Sequence, residues 1–172
     1  MSRTNVAVVG FMGAGKSTVG RELAARLGKT FVETDILVER RAGMSVSDVF
    51  ARHGEAHFRD LESDVVREAA QSHDCVIACG GGVVLREENV AALKASSVMV
   101  YLEVAPQSVL SRIGPQSTVR PLLSGPDRER RVAELMEQRR SAYEAAADVT
   151  VATDGLAVEE VVRHVQELLK RI

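Results

Sequence analysis

Gly10-Phe11-Met12-Gly13-Ala14-Gly15-Lys16-Ser17-Thr18 is the stretch best equipped for chemistry. It fits G-x-x-x-x-G-K-[ST], with an apolar, strand-like run at 6–9 before it. Val19, Leu23 and Leu27 follow at helical spacing, and Gly28 is placed to end that helix. Glycines let successive backbone N–H groups line one concavity with no Cβ in the way, and the following helix turns its positive end to the same place. Gly13, Ala14, Gly15, Lys16, Ser17 and Thr18 are therefore expected to cradle the phosphates of a nucleoside triphosphate. Lys16 is expected to reach the β- and γ-phosphates, and the Ser17 hydroxyl to ligate Mg²⁺ directly.

Other polar residues stand where ligands of α/β folds gather. Glu33 and Asp35 follow the apolar pair Phe31-Val32, at the carboxyl end of a strand. The run 75–79 ends without an acid, so a magnesium-side carboxylate must come from Glu33 or Asp35. It ends instead in Gly80-Gly81-Gly82, which reads either as a turn or as backbone that a ligand approaches closely. Arg59 and Glu62 lie three apart on one helix face, a spacing that by itself describes an ordinary surface ion pair. His53 and His57 do not form a metal motif, because His-Gly-Glu-Ala-His is not H-E-x-x-H. Residues 114–126 hold three of the four prolines, two glycines and Arg120 without periodicity, as expected of a mobile lid.

Elements that must position these residues alternate along the chain. Strand-like runs at 6–9, 31–32, 75–79, 98–102 and 149–152 are separated by helical patterns at about 36–42, 45–53, 55–72, 87–96, 106–113, 128–145 and 157–172. The order predicts a three-layer α/β fold, a mostly parallel sheet with helices on both faces, in a single domain of 172 residues. In the last helix Val158, Val161, Val162, Val165, Leu168 and Ile172 are expected to face the core.

Net charge is −2 and only six residues are Phe or Tyr, which argues against a nucleic-acid partner. No apolar run nears the roughly 18 residues of a membrane span, and no signal-peptide pattern opens the sequence. A cytoplasmic location and a monomer are expected. Cys75 and Cys79, if both lie in one strand, stand about 13 Å apart, too far for a disulfide.

As a set, the phosphate loop, Glu33-Thr34-Asp35, Phe58-Arg59, the triple glycine, Val119-Arg120-Pro121-Leu122 and Arg139 upstream of Tyr143 resemble the shikimate kinase family over nearly the whole chain. The resemblance implies a nucleoside-monophosphate-kinase-like fold with strand order 2-3-1-4-5. It implies phosphorylation of the 3-hydroxyl of shikimate by ATP with Mg²⁺, in aromatic amino-acid biosynthesis. It also implies that Arg59 and Arg139 hold the substrate carboxylate, with Glu62 orienting them. Asp35 bonds the hydroxyls and is the general-base candidate, Gly81 and Gly82 meet the substrate through backbone, and Phe50 and Phe58 wall its ring. The segment at about 36–62 becomes the substrate-binding part. Arg120 reaches the phosphates beside Lys16, and Arg112 lies against the adenine.

Two departures are visible. The family's Asp-x-Asp is here Glu33-Thr34-Asp35, so Glu33, the magnesium-side acid acting through water, carries one extra methylene. The loop 153–156 does not match the family's adenine contact. Two rival readings stay open at this level. A P-loop kinase for another polyol acid, such as gluconate, need not keep the paired arginines, and a catalytically silent relative would bind ATP without turnover.

Overall fold

Five short runs rich in valine and other apolar residues pair in parallel as one sheet, in the order β2-β3-β1-β4-β5. They are β1 (Asn5–Val9), β2 (Thr30–Glu33), β3 (Cys75–Ala78), β4 (Ser97–Glu103) and β5 (Val149–Ala152). The computed structural model describes residues 3–113 and 127–172. The expected lid and its Arg120 lie outside the described residues.

β1 sits at the centre and is buried throughout, as its continuous apolar run requires of a strand covered on both faces. β1 then feeds the phosphate loop into α1 (Lys16–Leu27), which packs against α7 (Val158–Leu169). α2 (Thr34–Ala42) packs on α3 (Val46–Gln71), and α3 also packs on α4 (Glu87–Ser96). α5 (Pro106–Ile113) lies against α6 (Arg128–Ala146).

α3 is divided at Gly54, whose φ of 82° and ψ of 172° fall where essentially only glycine goes. The break expected between two helices is therefore present. Ser45 caps the first of them, its Oγ accepting from the Asp48 N–H at 3.1 Å.

Apolar packing falls into two clusters. The larger surrounds the sheet and includes Val8, Leu23, Ile77, Met99, Leu102 and Val162. The smaller consists of Val38, Val49, Phe58 and Val65, with Phe50 and Leu61 packed on it, and joins α2 to α3.

Several sequence expectations need correction. α2 begins at Thr34 rather than near 36, which puts Asp35 in its first turn and makes Glu33 its N-cap. α7 ends at Leu169, so Ile172 lies past the helix and is 60% exposed instead of joining Val161, Val162 and Val165 in the core. Cys79 stands just beyond β3, although both cysteines are free as expected, and both are buried. A short 3-10 turn, Val83–Leu85, follows the triple glycine and is too brief to leave a periodic signal.

Candidate active site

The phosphate loop closes on itself. Gly15 adopts a left-handed φ of 91° at the start of α1, and the Lys16 ammonium donates to the Phe11 carbonyl at 2.9 Å. One residue on, the Ser17 hydroxyl donates to Glu33 Oε1 at 2.5 Å. The other Glu33 oxygen lies 3.8 Å from the Arg21 guanidinium, which rests over the Phe31 ring at 4.9 Å. The extra methylene of Glu33 thus does not carry its carboxylate away from the phosphate loop.

The other wall is built where β2 and β3 end. Thr34, fully buried, accepts the Gly80 N–H on its hydroxyl at 3.0 Å and fastens the start of α2 to the triple glycine. A Cβ on Gly80 would stand 2.5 Å from Glu62 Oε1 and 2.9 Å from Asp35 Oδ1. One on Gly82 would collide with both terminal nitrogens of Arg59. The glycines are therefore neither a bare turn nor only an opening for ligand. They give room for the carboxylates and the guanidinium of the protein itself.

Arg59 and Glu62 are not the surface pair that their spacing alone describes. They meet at 2.8 Å with Glu62 only 1% and Arg59 8% exposed, and Glu55 adds a second carboxylate to Arg59 at 3.2 Å. Burial pushes the Glu62 carboxyl above its ordinary value, Arg59 draws it back and Asp35 adds to the rise. Burial opposes the charge on Arg59, yet Glu62 and Glu55 together hold its pKa above the ordinary value. Among the described residues Glu62 Oε1 is buried without a hydrogen-bond partner.

Arg139 arrives from α6, buried, with NH1 3.5 Å from the Gly81 carbonyl and its guanidinium 5.9 Å from the Phe11 ring centroid. Phe50 and Phe58 meet with their ring centroids 4.6 Å apart and their planes tilted by 34°, on the smaller apolar cluster.

These residues share one cleft of about 270 Å³. Gly13, Gly15, Lys16, Ser17, Thr18 and Glu33 line one end, while Asp35, Phe50, Phe58, Arg59, Glu62, Gly81, Gly82 and Arg139 line the rest. Ala14 is buried within the loop. Arg112 is not among the lining residues; exposed at the end of α5, it donates to the Gly13 carbonyl at 3.1 Å. Thr34, Arg21 and Tyr143 are structural partners of the site whose roles the sequence does not disclose. A threonine between two acids, or an arginine one turn into a helix, carries no signal of what it will touch. Among the described residues no group of three or more His, Cys, Asp or Glu side chains could hold a metal ion.

The arrangement joins an anion-binding loop to a small polar cavity. Two guanidinium groups suit a carboxylate, one accessible wall carboxylate suits hydroxyls, and an aromatic pair suits a ring.

The chain is similar to known proteins. The family model for shikimate kinase matches residues 12–170. A shikimate kinase of Symbiobacterium thermophilum is 46% identical over 167 residues, covering 96% of each chain. One from Moorella thermoacetica is 44% identical over 166 residues, covering 96% of this chain and 94% of its own. The solved structure of shikimate kinase from Acinetobacter baumannii in complex with shikimate superposes with a TM-score of 0.94 at 33% identity, covering 98% of this chain and 93% of that one.

Proposed function

The chain belongs to the shikimate kinase family, and from that premise we infer that it transfers the γ-phosphoryl group of ATP to the 3-hydroxyl of shikimate in aromatic amino-acid biosynthesis. One observation carries the reading: Asp35, Arg59 and Arg139 line the same cleft as Lys16 and Ser17. Two buried arginines suit the carboxylate of either acid, and it is the family match that favours shikimate over gluconate. A coupled ADP assay with Mg-ATP tests the choice, with turnover expected on shikimate and none on gluconate. Equal rates on the two acids would overturn it.

Roles follow from geometry and charge. The carboxylate of the substrate belongs between the Arg59 and Arg139 forks, with Glu62 holding Arg59 in place at 2.8 Å. That docking brings the ring along Phe50 and Phe58 and its hydroxyls toward Asp35. Asp35 accepts the proton of the attacking hydroxyl. Lys16, now parked on the Phe11 carbonyl, turns to the phosphate oxygens, where charge is spread in a loose transition state. The resemblance adds Arg120 to the phosphates and Arg112 to the adenine side.

Mg²⁺ fits the residues present. Ser17 Oγ and Glu33 Oε1 are hard oxygens 2.5 Å apart at the start of α1, and Mg²⁺ bound with a nucleotide takes one or two protein oxygens beside phosphates and waters. When bound, it supplies positive charge at the β- and γ-phosphates. Glu33 is assigned to support it through water. Glu33→Gln should then weaken Mg²⁺-dependent ADP binding by about 10–100-fold, whereas Glu33→Asp should stay near wild type. Calorimetric titration of ADP at graded Mg²⁺ measures this, and an unchanged Mg²⁺ requirement in Glu33→Gln would remove Glu33 from the metal site. The proposal also includes a cytoplasmic monomer, the location being consistent with two free cysteines.

Lysine in place of either arginine keeps charge but loses the planar fork. Arg59→Lys or Arg139→Lys should cost about 1.5–3 kcal/mol in shikimate kcat/KM while leaving the KM for ATP nearly unchanged. Equal damage toward both substrates would instead give the arginines a structural role.

A further inference from the structure

Tyr143 lies one helical turn beyond Arg139 on α6, is 1% exposed, and has no part in the chemistry described above. Its ring stacks on Tyr101 of β4 at a centroid distance of 5.1 Å. Its hydroxyl donates to the carbonyl of Gly81, the middle residue of the triple glycine.

As a glycine, Gly81 has wide conformational freedom unless its flanking peptides are held. Two peptide planes flank it, and their orientations set its φ and ψ. The plane before it is held because the Gly80 carbonyl accepts the Val83 N–H at 3.2 Å, at the start of the 3-10 turn. The plane after it is held at the Gly81 carbonyl by Tyr143, with Arg139 NH1 farther off at 3.5 Å. No side chain limits a glycine, so these two hydrogen bonds carry the constraint. All described peptide bonds are trans, and a trans peptide sets its N–H opposite its C=O. The Gly81 N–H therefore faces away from the 3-10 turn, and the Gly82 N–H faces away from Tyr143.

Arg139 cannot be the permanent holder of that carbonyl if it is to meet an incoming carboxylate. We propose that Tyr143 is a positioning residue for the acceptor substrate: its hydroxyl fixes the Gly81–Gly82 peptide, keeps the Gly81 and Gly82 N–H groups aimed, and leaves Arg139 able to turn to the substrate carboxylate. The inference rests on the shikimate kinase reading. It deepens that reading by adding a residue that does not itself line the cleft.

Calorimetric titration of the full chain with shikimate and, separately, with Mg-ADP tests the proposal. Tyr143→Phe keeps the stacked ring and removes the hydroxyl. It should weaken shikimate binding about fivefold to tenfold, within the range for one lost hydrogen bond, and leave Mg-ADP binding within about twofold. Tyr143→Leu should show the same loss for shikimate together with a lower melting temperature, because the stack on Tyr101 goes too. Shikimate affinity unchanged in Tyr143→Phe, a loss confined to Tyr143→Leu, or equal weakening toward both ligands would each overturn the assignment. Wild-type protein that takes no shikimate would defeat the functional reading and the inference with it. Wild-type binding beside an unaffected Tyr143→Phe would defeat the inference alone.

Discussion

Lys16→Ala should give a folded protein whose turnover is at least about 10²-fold lower than wild type, the loss expected when a charge aimed at a developing anion is removed. The fold has little reason to object. Lys16 opens α1, where alanine is a good helix former. The Phe11 carbonyl that accepts its ammonium also accepts the Ala14 N–H at 3.1 Å, so that oxygen stays paired. A thermal melt together with the coupled ADP assay separates the two effects. Near-normal kcat in a folded variant would show that the loop cradles its anion without the lysine.

Asp35→Asn should behave differently. Removing the proton acceptor should lower kcat at least about 10²-fold. The melting temperature should hold or rise, because Asp35 and the buried Glu62 are like charges that crowd the same side of Gly80, and Asp35 contributes to the raised pKa of Glu62. Loss of activity with retained or improved stability is the pattern of a site that keeps two carboxylates close at a cost to the fold. Preserved kcat with a changed KM for ATP alone would move Asp35 to the metal side.

How far the sequence discloses this site depends on the range of the interaction. The strand, glycine-rich loop and helix are legible because backbone geometry over about twenty consecutive residues dictates them. The kink at Gly54 is legible for the same reason. The burial of Arg59 and Glu62 is not, since an i, i+3 pair looks alike in water and under a sheet. Only the family likeness separates the two. The contacts of Thr34 with Gly80 and of Tyr143 with Gly81 join residues 46 and 62 positions apart. Such pairings come from the crossover topology that brings the ends of β2 and β3 and the face of α6 to one place. Ile172 fails in the other direction, because its periodic spacing continues past the point where α7 stops.

The two apolar clusters also bear on how such a site changes over time. Val38, Val49, Phe58 and Val65 support the acceptor walls apart from the packing that holds the sheet and the phosphate loop. Substitutions among Phe50, Leu61 and their neighbours can reshape the acceptor cavity while the sheet core keeps its own packing. A lineage can therefore explore new acceptors through α2 and the parts of α3 on either side of the break at Gly54 without first relearning how to hold ATP.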